Sequence, residues 1–136
     1  MGLKTISKLK KDLDKWFSLY IRLRNANNLG VTQCFTCHKT DSYKSLQNGH
    51  FQSRRHHTTR WNEVNCQVQC VKCNMFNQGE QFKFGIYLDA KYGVGTAESL
   101  EFKARQTIKF TRVDYMEKLS YYKEVVKNLK KEKNLE

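Results

Sequence analysis

The chain has 136 residues, and its 25 Lys and Arg against 13 Asp and Glu give a formal net charge of +12. That length suits one compact domain, and the basic excess points to a polyanionic partner, nucleic acid first. No apolar run approaches the ~20 residues of a membrane span, and the start, MGLKTISKLKKDLDKW, carries no secretory pattern. A reducing, cytoplasmic setting is therefore expected, where five cysteines do not make a disulfide framework.

The sequence divides into residues 1–30, 31–92 and 93–136. In the first, Leu9, Leu13, Trp16, Phe17, Tyr20 and Leu23 recur at steps of three and four, which predicts a helix over 5–28 with an apolar face toward a core. Lys8, Lys10, Lys11, Lys15, Arg22 and Arg24 take mostly other faces, open to DNA, and Asn27, Asn28 and Gly30 supply the stop. Residues 31–80 hold every cysteine and histidine and lack helical periodicity, so a metal rather than a core organises them. Helices are expected from about Phe76 to Tyr92, ended by Gly93 and Gly95, and from Ala97 to about Gln106. Residues 107–113, TIKFTRV, read as a short strand or extended link. A last helix is expected from near Asp114, its cap, and the end KNLKKEKNLE is expected to fray. Its stripe Tyr115, Leu119, Tyr122, Val126 and Leu129 has helix–helix spacing and serves either packing within the chain or a homodimer.

Two Cys-x-x-Cys pairs, Cys34/Cys37 and Cys70/Cys73, are the sharpest signal. Each short turn presents two thiolates on one side, and two turns complete the sulfur tetrahedron that zinc accepts. With four protein ligands and no open position, this Zn²⁺ is structural. Cys34-Phe-Thr-Cys37-His38 also fits a haem-attachment pattern, and one pair alone fits a redox motif, but neither gives the second pair a role. Cys66 is left over and reads as a small buried thiol. The interval of residues 38–69 exceeds that of compact two-knuckle fingers, so it holds something extra, the stretch LQNGHFQSRRHHTTRWNEVN.

The order Cys34 to Cys37, Gly49-His50-Phe51, Arg60-Trp61-Asn62-Glu63-Val64-Asn65, Gln69-Cys70 to Cys73-Asn74 and Gly79-Glu80 resembles the NinG/Rap family of phage recombination endonucleases. It is also similar to the wider His-Asn-His group that includes endonuclease VII. The resemblance implies a small, irregular α+β fold: a zinc-stapled treble-clef or ββα-metal centre flanked by N- and C-terminal helices. It implies a metal-dependent DNA endonuclease acting on branched or structured recombination intermediates in a bacterial host cell. His50 would be the general base, Asn65 would brace its loop, and Asn74 would hold a catalytic Mg²⁺ or Mn²⁺. A histidine suits the first role because its ordinary pKa of about 6.5 lies near neutrality. Arg54, Arg55 and Arg60 flank it in sequence and are expected to grip phosphate. Many relatives carry aspartate directly before, or three residues before, this histidine; here Gly49 and Gln47 stand there, and Glu63 is the nearest carboxylate in the motif to serve the ion. Many also carry His where this chain has Gln67. The competing reading from charge and cysteines is a zinc module that binds nucleic acid without cutting it.

Overall fold

A computed structural model describes residues 3–136. Helix α1, Ile6–Leu23, is capped by Thr5, whose hydroxyl accepts from the Lys8 amide. It buries Leu9, Leu13, Phe17 and Ile21 against Trp61 and Cys66 and against Tyr115, Leu119 and Tyr122 of the last helix, α5, Arg112–Glu132. Fully burying a side chain such as Phe17 contributes about 2–3 kcal/mol, so this contact joins the two ends of the sequence into one layer. The stripe on α5 is therefore occupied within the chain, while Val113, Met116 and Tyr121 are exposed.

Between these helices lie two antiparallel hairpins. Strands β1, Val31–Gln33, and β2, Thr40–Ser42, pair with Thr32 opposite Asp41. Strands β3, Gln47–His50, and β4, Cys66–Gln69, pair with Gly49 opposite Gln67 and His50 opposite Cys66. The long loop between β3 and β4 contains one helical turn, α2, His57–Arg60. After β4 comes a π-turn, Lys72–Phe76, then α3, Gln81–Tyr92, and α4, Thr96–Ala104. Phe84, Leu88 and Leu100 form a small core under Phe35, Phe51 and Val64. The result is a mixed α+β fold with little sheet.

Several boundaries differ from the sequence expectation, each for a local reason. Helix α1 stops at Leu23 rather than 28, because the Asn27 side chain accepts from the amides of Leu29 and Val31 and turns the chain into β1. The helix expected from Phe76 begins at Gln81: positive φ at Gln78, Gly79 and Glu80 breaks it from the π-turn. Gly93, at φ 116°, closes α3 as expected. Residues 107–111 pair with no strand. The cap of α5 is Thr111, not Asp114; Asp114 instead returns a carboxylate to the Thr111 amide at 2.7 Å, completing a capping box. The C-terminal end, expected to fray, is docked on the fold. Leu135 packs beside Leu23, Tyr43 and Val126, and the Lys133 ammonium donates to the Ala26 carbonyl at 2.6 Å.

Candidate functional site

The turn joining β1 to β2 carries Cys34 and Cys37, and the end of β4 runs into Cys70 and Cys73. All four sulfurs lie within 4.8 Å of one another, with Cys37 Sγ 3.6 Å from Cys70 Sγ. Zn–S bonds of about 2.3 Å give tetrahedral S···S edges of roughly 3.8 Å, so the cluster can hold a zinc ion with modest tightening. Burial works against ionising Cys34, but backbone N–H groups of Cys70 and Cys37 outweigh it and draw this thiol down to about 6. Leu46 and Val68 pack against the buried sulfurs. Cys66 belongs elsewhere: it is buried under α1, and burial pushes its thiol well above the ordinary range.

The hairpin β3–β4 hangs from this cluster and ends at His50. Alternation along β3 turns Asn48 and His50 to one face and Gln47 and Gly49 to the other. The half-buried His50 ring sets Nε2 2.9 Å from the Arg60 carbonyl. A carbonyl only accepts, so Nε2 bears the hydrogen and Nδ1 keeps a lone pair. Burial, followed by the nearby Arg54 and Arg60 charges, outweighs the carbonyl contact and brings the imidazole pKa down to about 4. The ring is therefore a neutral acceptor at physiological pH.

Asn65 holds the loop that follows. Its fully buried amide donates to the carbonyls of Gln52 and Thr59 and accepts from the Gln52 amide at 2.8 Å. The Phe51 amide donates to the Asn65 carbonyl. One side chain thus ties the residues just beyond His50 to the turn whose last carbonyl orients the ring.

A cleft of about 420 Å³ opens beside His50. Its walls include Gln47, Asn48 and Asn74, together with Asp14 and Arg22 of α1, Lys44 and Arg54. Asn74, presented by the π-turn, donates through Nδ2 to Gln47 Oε1 at 2.8 Å. Asn48 Oδ1 is buried without a protein partner. Three cations against one carboxylate leave the cleft positive, which suits a phosphate.

Of the residues expected from sequence, the cleft brings together His50, Asn74 and Arg54. Glu63 does not join them: its two oxygens accept from the hydroxyls of Tyr20, at 2.7 Å, and Tyr122, at 2.8 Å, joining the loop to α1 and α5. Arg60 is also turned away. Its guanidinium forks onto Asp14 and lies 4.9 Å over the Trp61 ring. Arg54 reaches the same carboxylate at 3.0 Å from an exposed position on the cleft wall. Arg55 is exposed and lies outside the cleft. Asp14, Arg22 and Lys44 have no motif to mark them in the sequence. Arg22 is held by Ser18 and the Tyr43 carbonyl. Arg24 is structural, its guanidinium donating to the carbonyls of Glu63 and Cys66 and to Gln67 Oε1. Position 49 has no room for a side chain. A Cβ there would lie 1.9 Å from Gln69 Oε1, and Gln69 is fully buried and tied to Thr36 and the Gly79 carbonyl.

Over residues 1–132 the sequence matches the family described as Bacteriophage Lambda NinG protein. The chain belongs to the NinG family. No curated protein and no solved structure gives a significant match. The NinG match runs from α1 to the end of α5, so it takes in both packed helical ends as well as the cysteine cluster and the cleft. For this NinG chain, no helix among the described residues is long and apolar enough to cross a membrane.

Proposed function

We propose that this NinG-family chain is a metal-dependent DNA endonuclease of the His-Asn-His type, acting on branched or structured recombination intermediates. The observation that carries the reading is one cleft bordered by the neutral His50 ring, the Asn74 amide and three cations, built on a hairpin tied to the four-cysteine cluster. A hairpin followed by a helical turn is the order expected of a ββα-metal centre, and this order supports the reading. The formal net charge of +12 supports a polyanionic substrate such as DNA.

In this mechanism His50 Nδ1 accepts a proton from the attacking water, while Nε2–H stays on the Arg60 carbonyl and fixes the ring plane. Water attacks phosphorus, the P–O3′ bond breaks, the 3′ oxygen takes a proton from solvent to leave as a hydroxyl, and a 5′-phosphate end remains. Arg54, Arg22 and Lys44 balance charge on the phosphate oxygens. The cleft's oxygen donors are the amides of Asn74, Gln47 and Asn48, with the Asp14 carboxylate already held by two arginines. They fit a hard divalent ion bound weakly by protein and completed by phosphate oxygens. Mg²⁺ or Mn²⁺, when bound there, supplies charge neutralisation at the phosphate and the leaving oxygen. Glu63 has no place in this donor set.

The amide pairing of Asn74 with Gln47, in place of a free carboxylate, is the specific observation behind a second reading: a zinc module that grips DNA without cutting it. Incubating the zinc-loaded protein with branched and linear DNA separates the two. The nuclease reading predicts nicks that require Mg²⁺ or Mn²⁺ and accumulate on the branched substrate. Salt-sensitive binding of intact DNA, with no nick under either ion, would establish the second reading instead.

A further inference from the structure

The π-turn that presents Asn74 continues into two apolar side chains with little cover. Met75 is 63% exposed and Phe76 76% exposed. A π-turn is an uncommon local winding that recurs at functional sites. Here it follows directly on the cysteine cluster, so the pair is carried on a fixed base: Cys73 is buried and its amide donates to Cys70 Sγ. Met75 is also held from the cleft side, where Gln47 Nε2 lies 3.5 Å from its sulfur.

What flanks this turn gives the pair a meaning. On one side is the cleft of His50, lined by Arg22, Lys44 and Arg54. On the other is a second hollow of about 590 Å³, the open side of the cysteine cluster, lined by Cys37, Cys70 and Cys73 together with Lys39, Lys72 and Lys83. Its acids, Asp41 and Glu80, each face one of those lysines, at 3.9 and 3.5 Å. The two hollows share Ser45 and Leu46 as a wall, and the π-turn supplies Asn74 to the first and Lys72 and Cys73 to the second. A positive cleft beside an exposed apolar projection suits a nucleic acid strand: a phosphate in the cleft, bases at the projection.

We propose that Phe76, backed by Met75, is a wedge that enters the base stack of bound DNA beside the phosphate seated in the cleft. An aromatic face stacks on any base, and a flexible thioether adapts to whichever base lies next to it. Opening one base step also suits a substrate whose stacking is already interrupted, because the cost of unstacking is then smaller. This inference rests on the reading that the cleft binds DNA phosphate. It goes further in assigning recognition of the bases to two residues that take no part in bond breaking.

The test uses the full zinc-loaded chain with Ca²⁺ in place of Mg²⁺, and a branched DNA carrying 2-aminopurine at the branch. Binding of the wild type raises the fluorescence as the probe unstacks. Phe76→Ala abolishes that rise and weakens DNA binding about tenfold, whereas Phe76→Trp retains both. Because the side chain is exposed, Phe76→Ala leaves the thermal melt unchanged. Hydrolysis of bis(p-nitrophenyl) phosphate, which has no bases, is also unaltered by Phe76→Ala. The same fluorescence rise in Phe76→Ala as in wild type overturns the wedge while leaving the nuclease reading intact. Absence of any phosphodiester hydrolysis in the wild type, with unstacking still dependent on Phe76, overturns the nuclease reading and leaves the wedge standing. Self-association of the wild type that Phe76→Ala abolishes, with no change in DNA unstacking, would make this ridge a contact between copies and sink the proposal.

Discussion

Replacing Cys70 with Ser is expected to empty the cysteine cluster of zinc and to unfold the centre of the protein. Residues 31–80 hold two short hairpins, one helical turn and a small core around the sulfurs. Two-stranded hairpins are marginal on their own. Structural zinc contributes an apparent ~10–16 kcal/mol to folding in small domains, as much as a whole domain's typical net stability of about 5–15 kcal/mol. Cys70 is buried and lies 3.6 Å from Cys37 Sγ, so a hydroxyl there removes one thiolate and sets a poorer donor among the remaining three. Zinc analysis should fall from about one ion per chain to near none, and amide dispersion should collapse for residues 31–80. Helices α1 and α5 pack on each other through a separate cluster, so part of the helical signal should survive. Cys66→Ser is the control. That thiol lies under α1 and outside the cluster, so the substitution should weaken the core and leave the zinc content unchanged.

The second large effect falls on chemistry. His50→Ala should lower cleavage of branched DNA by about a thousandfold, within the range for a lost general base, while DNA binding changes little because the cations of the cleft remain. The pH dependence follows from the ring's surroundings. Burial first, then Arg54, lowers its pKa from 6.5 to about 4 in the folded chain. Between those two values the unfolded chain binds the extra proton and the folded one does not. The contribution of His50 to stability is therefore full above pH 6.5, declines as pH falls, and changes no further below about 4. The shift corresponds to roughly 3 kcal/mol over that window. Urea melts at pH 7 and 4.5 should show the loss in the wild type and a smaller one in His50→Ala. Nuclear magnetic resonance titration of the free protein should place the His50 midpoint near pH 4; a midpoint at 6.5 would mean that the ring is solvated rather than buried.

These effects also show how far residue pattern alone reaches. Two cysteine pairs can be read because zinc imposes short, local spacings, and the sulfurs do converge. The apolar faces of α1 and α5 can be read because burial on a helix imposes a period. His50 and Asn74 stand out only within a longer motif, and the structure puts both on one cleft. Asp14 could not be found this way. It is one acid on a lysine-rich helix, and its role as the anchor of Arg54, Arg60 and the Trp61 indole arises from contacts 40 to 47 residues away. The same holds for Glu63. Its place in the motif suggested an ion, whereas Tyr20 and Tyr122, far apart in sequence, claim both its oxygens. Arg60 was expected on phosphate for its nearness to His50, yet strand and loop geometry brings its carbonyl to the ring and turns its guanidinium toward α1. The docked C-terminus was illegible for a related reason: KNLKKEKNLE looks solvated until Leu135 meets Leu23 and Tyr43.

The most direct measurement is anomalous scattering from crystals of the zinc-loaded protein grown with Mn²⁺ and a DNA that it binds but cannot cut. The mechanism predicts a manganese peak in the cleft within bonding reach of the Asn74 amide oxygen and a phosphate oxygen, with a water between that phosphate and His50 Nδ1. DNA bound on another face, or a manganese peak remote from His50 while the same crystals hold a scissile phosphate, would contradict it.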